Sequence, residues 1–342
     1  MKILLIELWG LGDGVLMTGA LKTALEADHD VTVLCQPTTC KLLSSSFPQV
    51  TWIEFVMPWT PHKRKYHLWI WPWRALIQLI VKLRRERFEM VLSARPDPRE
   101  HFLMFLVGSK QRISLSHFLG KPFLSESLEE HNPPMRRSEA WNGIMTKAGF
   151  KQVHQPWLDS SLKKAFSPKL SALSRPFVVL HTGAGHPIRR WQDAYWMELL
   201  DSLKDEFNFS LILIPQPGDK ESKLSLKADT VLENLDLDEL VAVLAKADAL
   251  FCHDSGPMHI AEALGTQVFS IFGAGSDARF GPWRQESKHT RLNNCPHHPC
   301  KDRCHFKEPI CLTELKPDAV FREAKPWLEN ILQSTDQEMT NP

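Results

Sequence analysis

The chain has 342 residues, 43% of them hydrophobic and 24% charged. At about 100–200 residues per domain this length points to two domains, and the composition excludes wholesale disorder. The 41 Lys and Arg nearly cancel the 40 Asp and Glu, for a formal net charge of +1, so no global field argues for nucleic acid and charged partners must be sought in local patches.

Met1 and Lys2 run directly into Ile3-Leu4-Leu5-Ile6, which meets Glu7. That apolar run is too short for the core of a signal peptide and has no small-residue cleavage site behind it. No other run approaches the ~18 apolar residues that span a bilayer. The expectation is a cytoplasmic protein whose cysteines are mostly reduced or metal-bound.

The first half alternates strand and helix signals. Lys2–Leu8, Val31–Cys35, Thr51–Val56 and Phe88–Ser93 read as strands, Val15–Ala27 and Pro72–Arg87 as helices. Such alternation predicts a parallel sheet wrapped by helices. The Ser-, Lys- and Pro-rich stretch Asp159–Pro176 reads as a linker. The pattern then restarts, with strands at Phe177–His181, Phe209–Pro215, Ala249–His253 and Gln267–Phe272 and helices at Gln192–Phe207, Asp238–Ala247 and Pro257–Leu264. Pro317–Ala324 and Trp327–Gln333 predict a terminal helix interrupted at Pro326, and Ser334–Pro342 a frayed tail. The fold class is α/β, with two Rossmann-like domains facing across a cleft. The first domain spans residues 1–165 and the second 176–325, with a terminal helix and tail at 326–342. Open αβ sheets bind ligands at the carboxyl ends of their strands.

Three glycine-bearing segments fall at such ends. In Gly10-Leu11-Gly12-Asp13-Gly14 the glycines permit a tight turn and close approach to a ligand. The spacing is GxGxG and lacks the last Gly of the dinucleotide fingerprint. Asp13 reads either as a functional carboxylate or as the N-cap of the following helix. In the segment from His181-Thr182-Gly183 to Arg189-Arg190-Trp191, a strand end is followed by two arginines. An arginine fork suits a diphosphate, although a solvated pair at a helix start would look the same. In Asp254-Ser255-Gly256-Pro257-Met258-His259, Pro257 suits the first helical position. The N–H groups of Ser255, Gly256, Met258 and His259 would converge on an anion, reinforced by the helix dipole. Asp254 would hold a ribose or base. The plainer alternative is that Ser255 or Gly256 caps the helix while His259 packs in the core.

Together with Phe272-Gly273-Ala274-Gly275-Ser276-Asp277 and Gly281-Pro282-Trp283, these blocks occur in an order that resembles the lipopolysaccharide core heptosyltransferases. The resemblance runs from residue 1 to about 325. It implies the GT-B fold, inversion at the anomeric carbon, and a donor that is ADP-heptose or another nucleotide-sugar. The implied acceptor is a lipopolysaccharide core or other glycan, and no cofactor is required for catalysis. Asp13 corresponds to the catalytic base, with Gly12 beside it on the acceptor side. Arg189 falls where the family usually has a diphosphate-binding Lys. Thr182, Gly183, Asp254, Ser255, Gly256, Met258, His259 and Gly273 fall on the donor side. Ser255 replaces a Thr, and Glu262 a small residue, which puts a carboxylate either near the donor pocket or on the outer helix face. Rival readings are an acceptor-free nucleotide-sugar epimerase on the same scaffold, a transferase acting on protein, and a non-catalytic sugar-nucleotide binder.

Two features stand apart. Cys295, Cys300, Cys304 and Cys311 cluster within 17 residues, with His297, His298 and His305 nearby. They suit a structural zinc or iron, disulfides, or packed thiols. The resemblance adds that some protein-modifying relatives bind iron in a similar segment. The second feature is the aromatic, basic stretch around Trp59, Trp69, Trp71 and Trp73. Between His62 and Arg87 it carries Lys63, Arg64, Lys65, Arg74, Lys82, Arg84, Arg85 and Arg87 against Glu86. Lys63, Arg64 and Lys65 are candidates for the acceptor side and for peripheral contact with an anionic membrane, placing the enzyme at the inner face of the inner membrane. Leu76, Ile77, Leu79, Ile80 and Leu83 are expected to pack on the sheet.

Overall fold

The computed structural model describes residues 1–60, 67–129, 134–159, 161, 175–216, 223–300 and 302–340. They divide into two units, Met1–Leu158 and Asp159–Pro342. Most of the stretch expected to be a linker lies outside the described residues, as do Lys63, Arg64 and Lys65.

The first unit is a six-stranded parallel sheet in the order β3-β2-β1-β4-β5-β6. Its strands are β1 (Lys2–Glu7), β2 (Asp30–Cys35), β3 (Thr51–Glu54), β4 (Met90–Leu92), β5 (Gln111–Leu115) and β6 (Glu126–Leu128). Ile3 of β1 faces Val31 of β2 on one side and Met90 of β4 on the other. Ile3, Leu4, Leu5 and Ile6 are all fully buried, as a strand covered on both faces requires. The helices are α1 (Leu11–Glu26), α2 (Pro37–Leu43), α3 (Trp73–Arg85), α4 (Pro98–Val107) and α5 (Arg137–Lys147).

Helix α1 begins four residues before the expected start, so the glycine loop forms its first turn. Only part of the apolar side of α3 is core. Leu76, Leu79 and Leu83 are buried, whereas Ile80 is half-buried and Ile77 is 56% exposed.

The second unit repeats the architecture, in the order β12-β11-β10-β7-β8-β9. Its strands are β7 (Phe177–His181), β8 (Ser210–Ile214), β9 (Thr230–Val231), β10 (Ala249–His253), β11 (Gln267–Phe272) and β12 (Lys288–Arg291). The helices are α6 (Asp193–Glu206), α7 (Leu237–Lys246), α8 (Gly256–Leu264), α9 (Asp277–Phe280), α10 (Ile310–Thr313) and α11 (Pro317–Thr340). Helix α11 runs continuously through Pro326 and into the segment expected to fray. Proline removes one helical hydrogen bond. Burial of Val320, Ala324, Trp327, Leu328, Ile331 and Leu332 in the core of the unit holds the helix together regardless.

In each sheet the strand order reverses once, between β1 and β4 and between β7 and β10. Loops leaving the carboxyl ends of those strands diverge there and leave a crevice for ligands.

Candidate active site

In the first unit, Asp13 and Arg95 stand at the reversal between β1 and β4. Asp13 is the third residue of α1, and the N-cap is Gly10, which contributes no side-chain bond. The capping reading of Asp13 is therefore corrected. Its Oδ1 accepts from Arg95 Nη2 at 2.6 Å and from Arg137 Nε at 3.2 Å. Arg137 lies on α5, is 3% exposed, and also donates from Nη2 to Glu7 Oε2 at 2.6 Å. Burial pushes the Glu7 carboxyl up, and the Arg137 guanidinium pulls against it. Arg95 stacks over the Trp9 ring at 4.4 Å. Trp9 Nε1 donates to Glu100 Oε1 at 2.7 Å, and Ser93 Oγ to Glu100 Oε2 at 2.9 Å. Burial, with the Glu7 charge beside it, pushes Glu100 up to about 7.

Asp13 is thus one member of a carboxylate–guanidinium network that fixes its orientation. Sequence reasoning missed Glu7, Arg95, Glu100 and Arg137. Gly12 lies in the same first turn of α1.

In the second unit the loops after β7 and β10 meet. Thr182 and Gly183 follow β7 and are buried. Arg189 closes a short 3-10 turn, Pro187–Arg189. It donates from Nη1 to Asp254 Oδ2 at 2.9 Å, so Asp254, 4% exposed, is engaged by the arginine. It also donates from Nε and Nη2 to the two oxygens of Asp302, at 2.6 and 2.7 Å. Asp302 sits in the cysteine-rich segment at φ +64°, left-handed backbone that aspartate tolerates better than most residues. Nothing in its sequence context marked it. Gly275 comes so close to Asp254 that an added Cβ would lie 2.0 Å from Oδ2, so any side chain there would displace the carboxylate that Arg189 engages.

Ser255 is the N-cap of α8, and its hydroxyl donates to His253 O at 3.2 Å. The Met258 N–H returns to Ser255 O at 3.2 Å and the Met258 side chain is fully buried, so this residue does not join a converging set of free donors as expected. His259 is buried and stacks on Trp283, with ring centroids 6.0 Å apart and an interplanar angle of 14°. Gly273 packs against Leu312. Glu262 is neither on the outer helix face nor lining an open pocket. It is 1% exposed and accepts the backbone N–H groups of Trp283 at 3.1 Å and Arg284 at 3.2 Å. It thereby holds the backbone of Trp283, whose ring stacks on His259. Burial pushes it up to about 7.

Cys295, Cys300, Cys304 and Cys311 are all free thiols. Burial pushes Cys311 up to about 11, and the other three thiols add to the effect. The four are neighbours, yet among the described residues no three His, Cys, Asp or Glu side chains are set to hold a metal ion.

Comparison with known proteins fixes the class. The profile of glycosyltransferase family 9 (heptosyltransferase) matches residues 76–310. The chain belongs to that family and is a glycosyltransferase. It is similar to lipooligosaccharide heptosyltransferase 2 of Campylobacter jejuni (serotype O:2), 23% identical over 265 residues that cover 73% of this chain and 79% of that one. It is also similar to lipopolysaccharide heptosyltransferase 2 of Escherichia coli K12, 28% identical over 168 residues that cover 44% and 47%. Among solved structures, ADP-heptose lps heptosyltransferase II of E. coli superposes with a TM-score of 0.71 at 18% identity, covering 98% of this chain and 100% of that one. Heptosyltransferase WaaC of E. coli with ADP-2-deoxy-2-fluoro heptose gives 0.71 at 17% identity, covering 95% and 99%. The iron-containing dodecameric glycosyltransferase TibC of enterotoxigenic E. coli gives 0.57 at 14% identity, covering 98% and 77%. These likenesses establish the GT-B fold. No helix among the described residues is long and apolar enough to cross a membrane.

Proposed function

We propose that the protein transfers heptose from ADP-heptose to a lipopolysaccharide inner-core acceptor, with inversion, at the inner face of the inner membrane. The observation that carries this reading is Arg189, whose fork stands at the sheet reversal of the second unit beside the N-terminus of α8. That is the chemistry a diphosphate needs: a planar double donor and a helix dipole. The nucleotide would lie along Thr182, Gly183, Asp254, Ser255, Gly256, His259 and Gly273.

In the transfer step an acceptor hydroxyl oxygen bonds to the anomeric carbon. Its proton passes to Asp13, and the bond from that carbon to the diphosphate oxygen breaks with its electron pair leaving on ADP. Inversion requires the base on the face of the anomeric carbon opposite the leaving group. Arg189 and the α8 amides neutralise the charge that grows on ADP, and the step calls on no cofactor. Arg95 and Arg137 aim the Asp13 carboxylate.

The cysteine cluster is a separate proposal. Zinc or iron would bind these thiols as thiolates once their side chains converge. Its support is the mutual proximity of the four sulfurs, and elemental analysis of purified protein tests it, about one metal per chain being the positive result.

The transfer reading is tested by incubating the protein with ADP-heptose and heptose-deficient lipopolysaccharide and weighing the product. Addition of one heptose to the acceptor is expected. Consumption of donor without an acceptor product would favour an epimerase instead.

A further inference from the structure

Glu100 takes no part in the transfer step, yet its bonds lead to Asp13 by two short routes. It lies on α4 and is fully buried. Its Oε2 accepts the Ser93 hydroxyl at 2.9 Å, and the same Ser93 oxygen accepts the Arg95 backbone N–H at 3.3 Å. Its Oε1 accepts Trp9 Nε1–H at 2.7 Å, and the Trp9 ring lies against the Arg95 guanidinium at 4.4 Å. One carboxyl group therefore holds Arg95 at both ends, at its backbone through Ser93 and at its fork through Trp9. Arg95 in turn donates to Asp13 Oδ1 at 2.6 Å.

A single hydrogen bond leaves an arginine fork free to pivot. Arg95 Nε has no hydrogen-bond partner among the described residues, so the ring beside it sets the plane of the fork. That ring is only half-buried, and its N–H is anchored on Glu100. Arg137 does not replace this hold, because its Nη2 is committed to Glu7 and its Nε reaches the same Asp13 oxygen at the longer distance of 3.2 Å. Packing alone would be served by an apolar side chain at position 100, since a buried carboxyl bonded to no cation costs stability. What the carboxyl adds is the orientation of Trp9 and Ser93.

We propose that Glu100 is a positioning residue for the base: through the Trp9 ring and the Ser93 hydroxyl it holds the Arg95 fork, and so the Asp13 carboxylate, toward the acceptor hydroxyl. The inference rests on the reading of Asp13 as the base. Displacing a catalytic group by about 1 Å costs on the order of 100-fold in rate, so a hold at this distance from the chemistry has a measurable effect.

The experiment is steady-state transfer from ADP-heptose to heptose-deficient lipopolysaccharide, with ADP affinity measured by calorimetry. Glu100→Leu is expected to lower kcat about tenfold or more, with the KM for ADP-heptose and the ADP affinity native. Glu100→Gln keeps an oxygen for Trp9 and an N–H for Ser93, and is expected to recover most of the lost turnover. Trp9→Phe keeps a ring beside Arg95 but removes the N–H. It is expected to lose turnover as Glu100→Leu does, and it makes the same test should Glu100→Leu fail to fold. In an Asp13→Asn background, Glu100→Leu and Trp9→Phe are expected to cost nothing further, because residues that act through one group are not additive. A merely structural defect would multiply with Asp13→Asn, and that result would overturn the proposal. Native kcat in Glu100→Leu or Trp9→Phe, beside lost turnover in Asp13→Asn, would overturn it alone. Native turnover in Asp13→Asn would overturn the base reading and this proposal with it.

Discussion

Arg189 grips both carboxylate oxygens of Asp302, although 113 residues separate the two in sequence. The fork is satisfied by a carboxylate in the same planar, double-donor manner in which it would hold a phosphate. A diphosphate bound by Arg189 would have to displace Asp302 from the fork.

Asp302→Asn is expected to tighten ADP binding about tenfold, because it weakens a charged hydrogen bond of ~1.5–3 kcal/mol that the nucleotide must displace. Arg189→Ala is expected to weaken ADP binding by the same ~1.5–3 kcal/mol. Isothermal titration calorimetry with ADP reads both. Weaker binding in Asp302→Asn would make Asp302 part of the nucleotide site rather than its competitor, and unchanged affinity in Arg189→Ala would remove Arg189 from it.

Asp13→Asn keeps the shape of the side chain but cannot accept the acceptor's proton. Turnover is expected to fall by at least about 100-fold, the lower range for general-base catalysis. Because Asp13 is joined to Arg95 and Arg137, the variant is also expected to lose about 1–2 kcal/mol of stability while ADP affinity stays native. Turnover within a few-fold of native, measured with the true acceptor, would place the base elsewhere.

Glu262 makes a pH-dependent contribution to the stability of the second unit. Its folded carboxyl lies at about 7, against an ordinary value of 4.5. Between those values the folded chain binds more protons than the unfolded one, so this group lowers stability as pH rises through the window. Glu262→Gln removes the titration and keeps an oxygen for the Trp283 and Arg284 N–H groups. Thermal unfolding from pH 5 to pH 8 is expected to show a flatter dependence in the variant, with the gap between the two proteins changing by a few kcal/mol. Parallel curves would show that Glu262 is ionised in the fold throughout.

Much of the scaffold could be read directly from residue order. The run Ile3-Leu4-Leu5-Ile6 marks a strand buried on both faces, and β7, β10 and β11 fall on the predicted bounds. The helix start at Ser255-Gly256-Pro257 and the glycine loop after β1 were also visible, because caps, turns and periodicity are properties of neighbouring residues. Tertiary structure decided the rest. Asp13 looked like a cap or a lone carboxylate, and its partners Arg95 and Arg137 lie 82 and 124 residues away. Pro326 looked like a helix break until burial of the residues around it outweighed the lost hydrogen bond. Ile77 looked like core until α4 took a position that left it in a groove. Local sequence sets which backbone conformations are favourable, but which charge meets which, and which apolar face finds cover, depends on where the sheet brings distant loops and helices together.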